Sequence, residues 1–118
     1  MIAEDIYSNI EVLLGHLKAY EFEFFISENG QDALEKATVY RPDIILMDMQ
    51  MPIMSGYEVT KKLKDDPDTR DMTIVAVTAS VMKDDEMKIR DICDGYLRKP
   101  FIKSDLLFEL SRHLKHDI

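Results

Sequence analysis

The sequence predicts an α/β domain in which helices are wound on both faces of a parallel five-stranded sheet. Short apolar runs alternate along the chain with segments of helical period. The runs at 43–48 and 72–79 are apolar over most of their length, as expected for strands covered on both faces. The connections are short, and no repeat, low-complexity tract or linker divides the 118 residues. We therefore expect one domain over residues 1–118.

The first half of the chain supplies three strands and two helices. The strands are predicted at 1–3, 22–26 and 43–48. Ser8 begins the first helix, because Glu11 follows at a capping-box spacing and an apolar face begins there. Asn29 is the predicted N-cap of the second helix. The inward-facing residues of that helix are Ala33, Leu34 and Ala37.

The second half supplies three helices and two strands. Ser55 and Glu58 repeat the capping-box spacing and begin the third helix. Its buried stripe is predicted at Val59 and Leu63. The remaining strands are predicted at 72–79 and 95–99, and the remaining helices at 84–92 and 104–114.

Composition narrows the classes of function. The net charge of −8 disfavours a phosphate-backbone ligand, so we expect no direct binding of nucleic acid. The chain contains neither a run of 18 apolar residues nor a charged-then-apolar leader, which predicts neither membrane insertion nor a signal peptide. The single cysteine, Cys93, suits a reducing compartment and a cytoplasmic location.

Polar side chains lie at the carboxyl ends of four of the predicted strands or directly after them. They are Glu4 and Asp5, Asp48, Thr78, and Lys99. Ligands of open parallel sheets bind beyond the carboxyl ends of the strands, so these groups are expected to meet. A divalent cation and an ammonium would relieve the repulsion among three carboxylates, and the same set suits phosphoryl transfer through an aspartyl phosphate. The simpler alternative is that Asp48 caps the following turn and pairs with Lys99.

These segments resemble the receiver domain of two-component response regulators over the whole chain. The resemblance is carried by "ED" at 4–5, "ENGQDALEKA", "PDIILMDMQMPIMSGYE", "IVAVTAS" and "DGYLRKPF". It implies a flavodoxin-like three-layer sandwich with strand order 2-1-3-4-5. It also implies a phosphoacceptor switch, phosphorylated by a histidine kinase or a histidine phosphotransfer protein.

The resemblance implies a role for each matching residue. Asp48 would be the phosphoacceptor. Mg²⁺ would be held by Asp5, Asp48 and the backbone carbonyl of Gln50, and Glu4 would help to hold it through water. The phosphoryl-binding residues would be Thr78 and Lys99, and the switch residues Thr78 and Tyr96. The readout face would be the fourth helix, fifth strand and fifth helix.

Two further predictions concern single segments. Gln50 and Ser80 each lie two residues beyond a site residue, and we expect them to influence the lifetime of the phosphoryl group. The family usually ends its fourth helix with Ala-Gly, whereas Asp91 and Ile92 here lead straight into Cys93. Isoleucine disfavours the left-handed conformation, so this helix is expected to end differently.

Other classes of function remain open from the sequence. A pseudo-receiver would dock partners without phosphorylation. A phosphatase of the haloacid dehalogenase type would need a second aspartate where Gln50 stands, so we expect no enzyme beyond self-phosphorylation and dephosphorylation. A flavin carrier would need a Ser/Thr/Gly-rich phosphate loop after the first strand, and none is present. The sequence leaves open homodimer formation, the partner, and whether the chain is free-standing or part of a larger regulator.

Overall fold

The computed structural model describes residues 1–4, 15, 26–51, 53–79, 83–99 and 101–113. The strands are β1 (Ile2–Ala3), β2 (Ile26–Ser27), β3 (Ile44–Asp48), β4 (Thr73–Thr78) and β5 (Gly95–Arg98). The helices are α1 (Gly30–Tyr40), α2 (Gly56–Asp65), α3 (Lys83–Ile92) and α4 (Lys103–His113). Thus α3 and α4 correspond to the fourth and fifth predicted helices. Apart from Gly15, the predicted helix beginning at Ser8 lies outside the described residues, as do the predicted strand residues 22–25.

All five strands belong to one parallel sheet in the order β2-β1-β3-β4-β5, which confirms the expected topology. Ala3 of β1 pairs with Met47 of β3. The residues that follow them, Glu4 and Asp48, therefore lie at the same edge of the sheet. On the other side of β3, Asp48 pairs with Val77 of β4. Parallel pairing in this register brings the carboxyl ends of β1, β3, β4 and β5 together.

Two apolar clusters cover the two faces of the sheet. One cluster joins the sheet to α1, α2 and α3, and includes Ala33, Ala37, Ile45, Met47, Val59, Leu63, Ile74, Ala76 and Ile89. The other joins the sheet to α4, and contains Ile2, Leu46, Val75, Val77, Leu97, Leu106 and Leu110. Successive strand residues point to opposite faces, so β3 and β4 contribute to both clusters. This double covering explains their nearly continuous apolar sequences and confirms the three-layer fold.

Two of the four described helices, α1 and α2, begin at their predicted caps. The Asn29 side chain accepts a hydrogen bond from the backbone N–H of Asp32 at 2.8 Å. The Ser55 hydroxyl oxygen accepts one from the backbone N–H of Glu58 at 3.2 Å. Each cap satisfies a backbone donor that the first turn leaves without a helical partner, and so fixes where α1 and α2 begin.

The end of α3 differs from the family pattern as expected. Among the described non-glycine residues, positive φ values occur at Arg41 and Ile53 and not at the end of α3. The backbone N–H of Cys93 instead donates to the Ile89 carbonyl at 2.9 Å, and the N–H of Asp94 donates to the Ile74 carbonyl at 2.9 Å. The chain therefore passes from α3 to the sheet without a left-handed residue.

None of α1–α4, the helices of the described ranges, combines the length and the apolar composition that crossing a bilayer requires.

Candidate functional site

Four predicted site residues meet at the carboxyl edge of the sheet. Glu4 follows β1, Asp48 ends β3, Thr78 ends β4, and Lys99 follows β5. Glu4, Asp48 and Thr78 are only 2%, 5% and 1% exposed. The two carboxyl groups therefore lie in surroundings where water solvates them poorly, and their charges interact strongly with their neighbours.

Lys99 connects the two carboxylates. Its ammonium nitrogen Nζ lies 3.0 Å from Glu4 Oε1 and 3.7 Å from Asp48 Oδ2. Its backbone N–H donates to the Thr78 carbonyl at 2.8 Å, which holds the residue beside the end of β4. Among the described side chains, one ammonium thus lies beside two buried carboxylates.

The carboxyl group of Asp48 is strongly perturbed by this arrangement. Burial disfavours its charged form and, together with a hydrogen bond to Glu4 and the negative charge of Glu4, raises its pKa from 3.8 to about 7. Opposing this, the backbone N–H of Gln50 donates to Asp48 Oδ1 at 3.0 Å, and Lys99 supplies positive charge. Burial outweighs these stabilising contacts, so the site favours a proton or another positive charge at Asp48.

Tyr96 lies on β5, the strand that pairs with β4 and its final residue Thr78. It pairs with Ala76 of β4, and Thr78 lies two residues beyond Ala76 on that strand. Because paired residues and residues two apart point to the same face, the side chains of Tyr96 and Thr78 share one face of the sheet. The half-buried Tyr96 ring has the Arg90 guanidinium carbon 4.4 Å from its centroid.

The remaining predicted residues are Asp5, Ser80 and Gln50. Asp5 and Ser80 are outside the described residues. Gln50 is exposed and contacts Asp48 through its backbone N–H. The described residues contain no cluster of three or more His, Cys, Asp or Glu side chains suited to a metal ion. Glu4 and Asp48 nevertheless present hard oxygen donors, and this donor chemistry fits Mg²⁺.

An open groove of about 560 Å³ begins at Lys99 and runs between α3, β5 and α4. Its lining includes Arg90, Tyr96, Arg98, Phe101, Asp105 and Phe108. The Phe108 side chain is 64% exposed. The groove thus connects the carboxyl edge to a surface with both apolar and charged side chains.

Comparison with known proteins identifies the family. The sequence profile of the response regulator receiver domain matches residues 1–111. The chain belongs to this family. Receiver domains are regulatory components of two-component phosphorelay signalling.

Relatives and solved structures agree with this assignment. The polar-differentiation response regulator DivK of Brucella anthropi is 46% identical over 101 residues, which cover 85% of this chain and 82% of DivK. Chemotaxis protein CheY4 of Vibrio cholerae is 27% identical with a TM-score of 0.86, covering 96% of this receiver and 95% of CheY4.

The receiver domain of a sensor histidine kinase from Pseudomonas aeruginosa PAO1 is 28% identical, also with a TM-score of 0.86. The match covers 95% of this receiver and 93% of that chain, whose structure holds a magnesium ion in its active-site cleft.

Proposed function

We propose that this receiver is a cytoplasmic phosphoacceptor switch and that Asp48 is its phosphorylated residue. The observation that carries the proposal is the buried Asp48 carboxyl group at the carboxyl edge of the sheet, beside the Lys99 ammonium. The donor would be a phosphohistidine on a histidine kinase or a histidine phosphotransfer protein. A carboxylate oxygen of Asp48 attacks phosphorus, the phosphorus–nitrogen bond breaks, and the donor imidazole keeps the released electron pair.

The donor atoms at the carboxyl edge support binding of Mg²⁺. Its proposed ligands are Asp48, Glu4, the backbone carbonyl of Gln50, and Asp5, which lies outside the described residues. When bound, Mg²⁺ supplies charge neutralisation for the transferring phosphoryl group. The magnesium in the Pseudomonas receiver supports the same ion for this chain.

The described side chains would hold the phosphoryl group at two points. Lys99 already reaches an oxygen of Asp48, so its ammonium can bind a phosphoryl oxygen without large movement. Thr78 ends the neighbouring strand and would donate its hydroxyl to another phosphoryl oxygen. The Gln50 N–H fixes the opposite oxygen of Asp48 and so orients the carboxylate. Positioning and charge stabilisation are the main requirements of phosphoryl transfer.

The switch would be read out on α3, β5 and α4. Movement of Thr78 toward the phosphoryl group would free space on the sheet face that it shares with Tyr96. Tyr96 lines the groove beside Lys99, and the exposed Phe108 lines the same groove. Phosphorylation would therefore bias the surface between two arrangements of these side chains.

Intact-mass measurement tests the phosphoacceptor. The receiver is incubated with acetyl phosphate, with and without Mg²⁺, as the unmodified chain, as Asp48→Asn and as Asp68→Asn. Asp68 is an exposed loop aspartate and serves as the matched control. We expect one Mg²⁺-dependent phosphoryl adduct in the unmodified chain and in Asp68→Asn, and none in Asp48→Asn. Absence of any adduct in the folded unmodified chain would favour a module that docks partners without phosphorylation.

Decay of the phosphorylated form tests Gln50 and Ser80. We expect single substitutions of either residue by alanine to change the phosphate lifetime, because both flank the proposed site in the sequence. Unchanged decay rates in both variants contradict this role.

Amide chemical shifts test the readout face. Phosphorylation is expected to shift amides of α3, β5 and α4 more than those of α2. Shifts confined to the carboxyl edge contradict this part of the proposal.

A further inference from the structure

Among the described residues of the loop between β3 and α2 (49–51 and 53–55), one large apolar side chain is exposed next to the proposed phosphorylation site. Ile53 is 80% exposed. The methionines of the same loop behave differently: Met49 and Met51 are 6% and 8% exposed, and Met54 packs against the core. The loop therefore buries its methionines and presents Ile53 to solvent.

Two close backbone approaches fix this loop. A Cβ atom on Gly30 would collide with the carbonyl oxygen of Met54, so glycine allows α1 to pack against the loop. A Cβ atom on Gly56 would collide with the carbonyl oxygen of Asp48, so the end of the loop returns against β3. Ser55 additionally caps α2. These contacts hold the segment that carries Ile53 against rigid elements on both sides.

The backbone conformation of Ile53 is also one that isoleucine rarely adopts. Its φ is 70°, in the left-handed region, where a β-branched residue is an outlier and Gly or Asn is favoured. A single exposed apolar residue is ordinary on a protein surface. Neither packing nor backbone preference explains an isoleucine that is both exposed and held in this conformation. Backbone strain of this kind is concentrated at functional sites.

We propose that Ile53 is a docking contact for the protein that donates the phosphoryl group, and that it packs against an apolar patch beside the donor's phosphohistidine. The proposal rests on the proposed function. A phosphohistidine can reach Asp48 only by approaching the carboxyl edge, and the fixed loop that carries Ile53 begins directly after Asp48. The donor's surface must therefore pass over this loop. A small donor such as acetyl phosphate has no surface that could contact Ile53.

Comparison of a protein donor with a small donor tests this contact. The protein donor is the histidine kinase or phosphotransfer protein of the source organism that labels the unmodified chain fastest. Ile53→Asn suits the left-handed backbone but removes the apolar contact. Val39→Asn is the matched control, because Val39 is 73% exposed near the end of α1, which leads back to the start of β3 at the opposite edge of the sheet.

We expect Ile53→Asn to slow transfer from the protein donor by about tenfold, the loss for one buried apolar side chain. Labelling by acetyl phosphate should be unchanged in Ile53→Asn and Val39→Asn, and Ile53→Leu should retain most of the transfer from the protein donor. The melting temperature of Ile53→Asn should rise because the backbone strain is relieved.

Undiminished transfer from the protein donor to Ile53→Asn overturns the proposal. An equal loss with acetyl phosphate also overturns it, because the residue would then act on the chemistry and not on docking. Failure of the proposed function is a separate result, namely no labelling of the unmodified chain by acetyl phosphate.

Discussion

Two lysine–carboxylate clusters lie at opposite ends of the sheet and differ in how their charges are matched. Near the start of β4, the Lys64 ammonium is 2.7 Å from Asp94 Oδ2 and donates to the carbonyls of Arg70 and Met72. The same Asp94 oxygen accepts the backbone N–H of Ile74 at 2.8 Å. One lysine pairs with one carboxylate, both are partly exposed, and their hydrogen bonds tie two loops to the sheet.

At the carboxyl edge, by contrast, Lys99 lies beside both Glu4 and Asp48, which are almost fully buried. A pair with matched charges can be purely structural, whereas two buried carboxylates beside one ammonium destabilise the ionised state. The raised pKa of Asp48 is the consequence. The difference supports the proposal that the carboxyl-edge cluster is the site of chemistry, whereas the cluster at the start of β4 stabilises the fold.

The largest predicted effect is a difference in the rate of labelling by acetyl phosphate between Lys99→Met and Lys64→Met. Lys99→Met should slow labelling by acetyl phosphate about 10²–10³-fold, because one charge-stabilising donor is lost from the transition state. Lys64→Met should leave the labelling rate unchanged but lower the free energy of unfolding by about 1–2 kcal/mol through lost hydrogen bonds. Initial labelling rates and urea unfolding measure both quantities. Equal rate losses in the two variants would contradict the distinction between the clusters.

The second prediction concerns pH in the presence of a metal chelator. The pKa of Asp48 is about 7 in the folded state and 3.8 in the unfolded reference. Below the lower value both states carry the proton. Between the two values the folded state binds more protons, so its stability falls as the pH rises, and the loss is complete above the folded pKa.

Asp48→Asn removes this loss. We expect it to raise the free energy of unfolding by roughly 4 kcal/mol at about pH 8, and to have little effect at about pH 4. Asp68→Asn controls for the removal of one negative charge. Urea unfolding across this pH range measures the difference, and a pH-independent effect of Asp48→Asn would show that burial does not raise the pKa of this carboxyl.

A third, smaller effect is expected from added Mg²⁺. At about ten times its dissociation constant, a ligand of the folded state alone raises the free energy of unfolding by about 1.4 kcal/mol. The unmodified chain and Lys64→Met should both gain this stability near neutral pH, and Asp48→Asn should gain less. Thermal unfolding with Mg²⁺ or with NaCl at equal ionic strength measures the gain. The same gain in Asp48→Asn would exclude this carboxylate as a ligand.

The smallest effect is predicted at Arg90, which belongs to neither cluster. Arg90→Gln removes the contact with the Tyr96 ring and should lower the free energy of unfolding by about 0.5–1 kcal/mol. Its surface ion pair with Glu86 should add little. The labelling rate should not change, since Arg90 lines the groove and does not contact Asp48. Urea unfolding and labelling of the same variant provide both measurements.

Features that depend on local sequence or on strand alternation were predictable. The side chains of Asn29 and Ser55 mark helix starts because capping chemistry is local. The apolar runs of β3 and β4 identify buried parallel strands. Once the strands are parallel, their carboxyl ends must share one edge, so the meeting of Asp48 with Lys99 follows from the sequence pattern. The strand order itself was implied by the family resemblance and not by periodicity.

Features that depend on packing between distant segments were not predictable. Nothing in the local sequence distinguishes the exposed Ile53 from the buried methionines beside it, because the fixed loop is created by the contacts of Gly30 and Gly56 with other segments. Lys64 and Asp94 are 30 residues apart and meet only after α2 and the end of α3 have packed on the sheet. The amount by which burial raises the pKa of Asp48 likewise requires the folded surroundings.

Chemical reduction can identify the phosphorylated residue. Borohydride reduces an aspartyl phosphate to homoserine, so reduction after labelling with acetyl phosphate and Mg²⁺, followed by peptide sequencing in the mass spectrometer, locates the acyl phosphate. We predict homoserine at position 48 in the unmodified chain and at no other aspartate. Reduction at Glu4 or at another carboxylate, or a phosphoryl adduct that resists borohydride, would contradict the assignment of Asp48 as the phosphoacceptor.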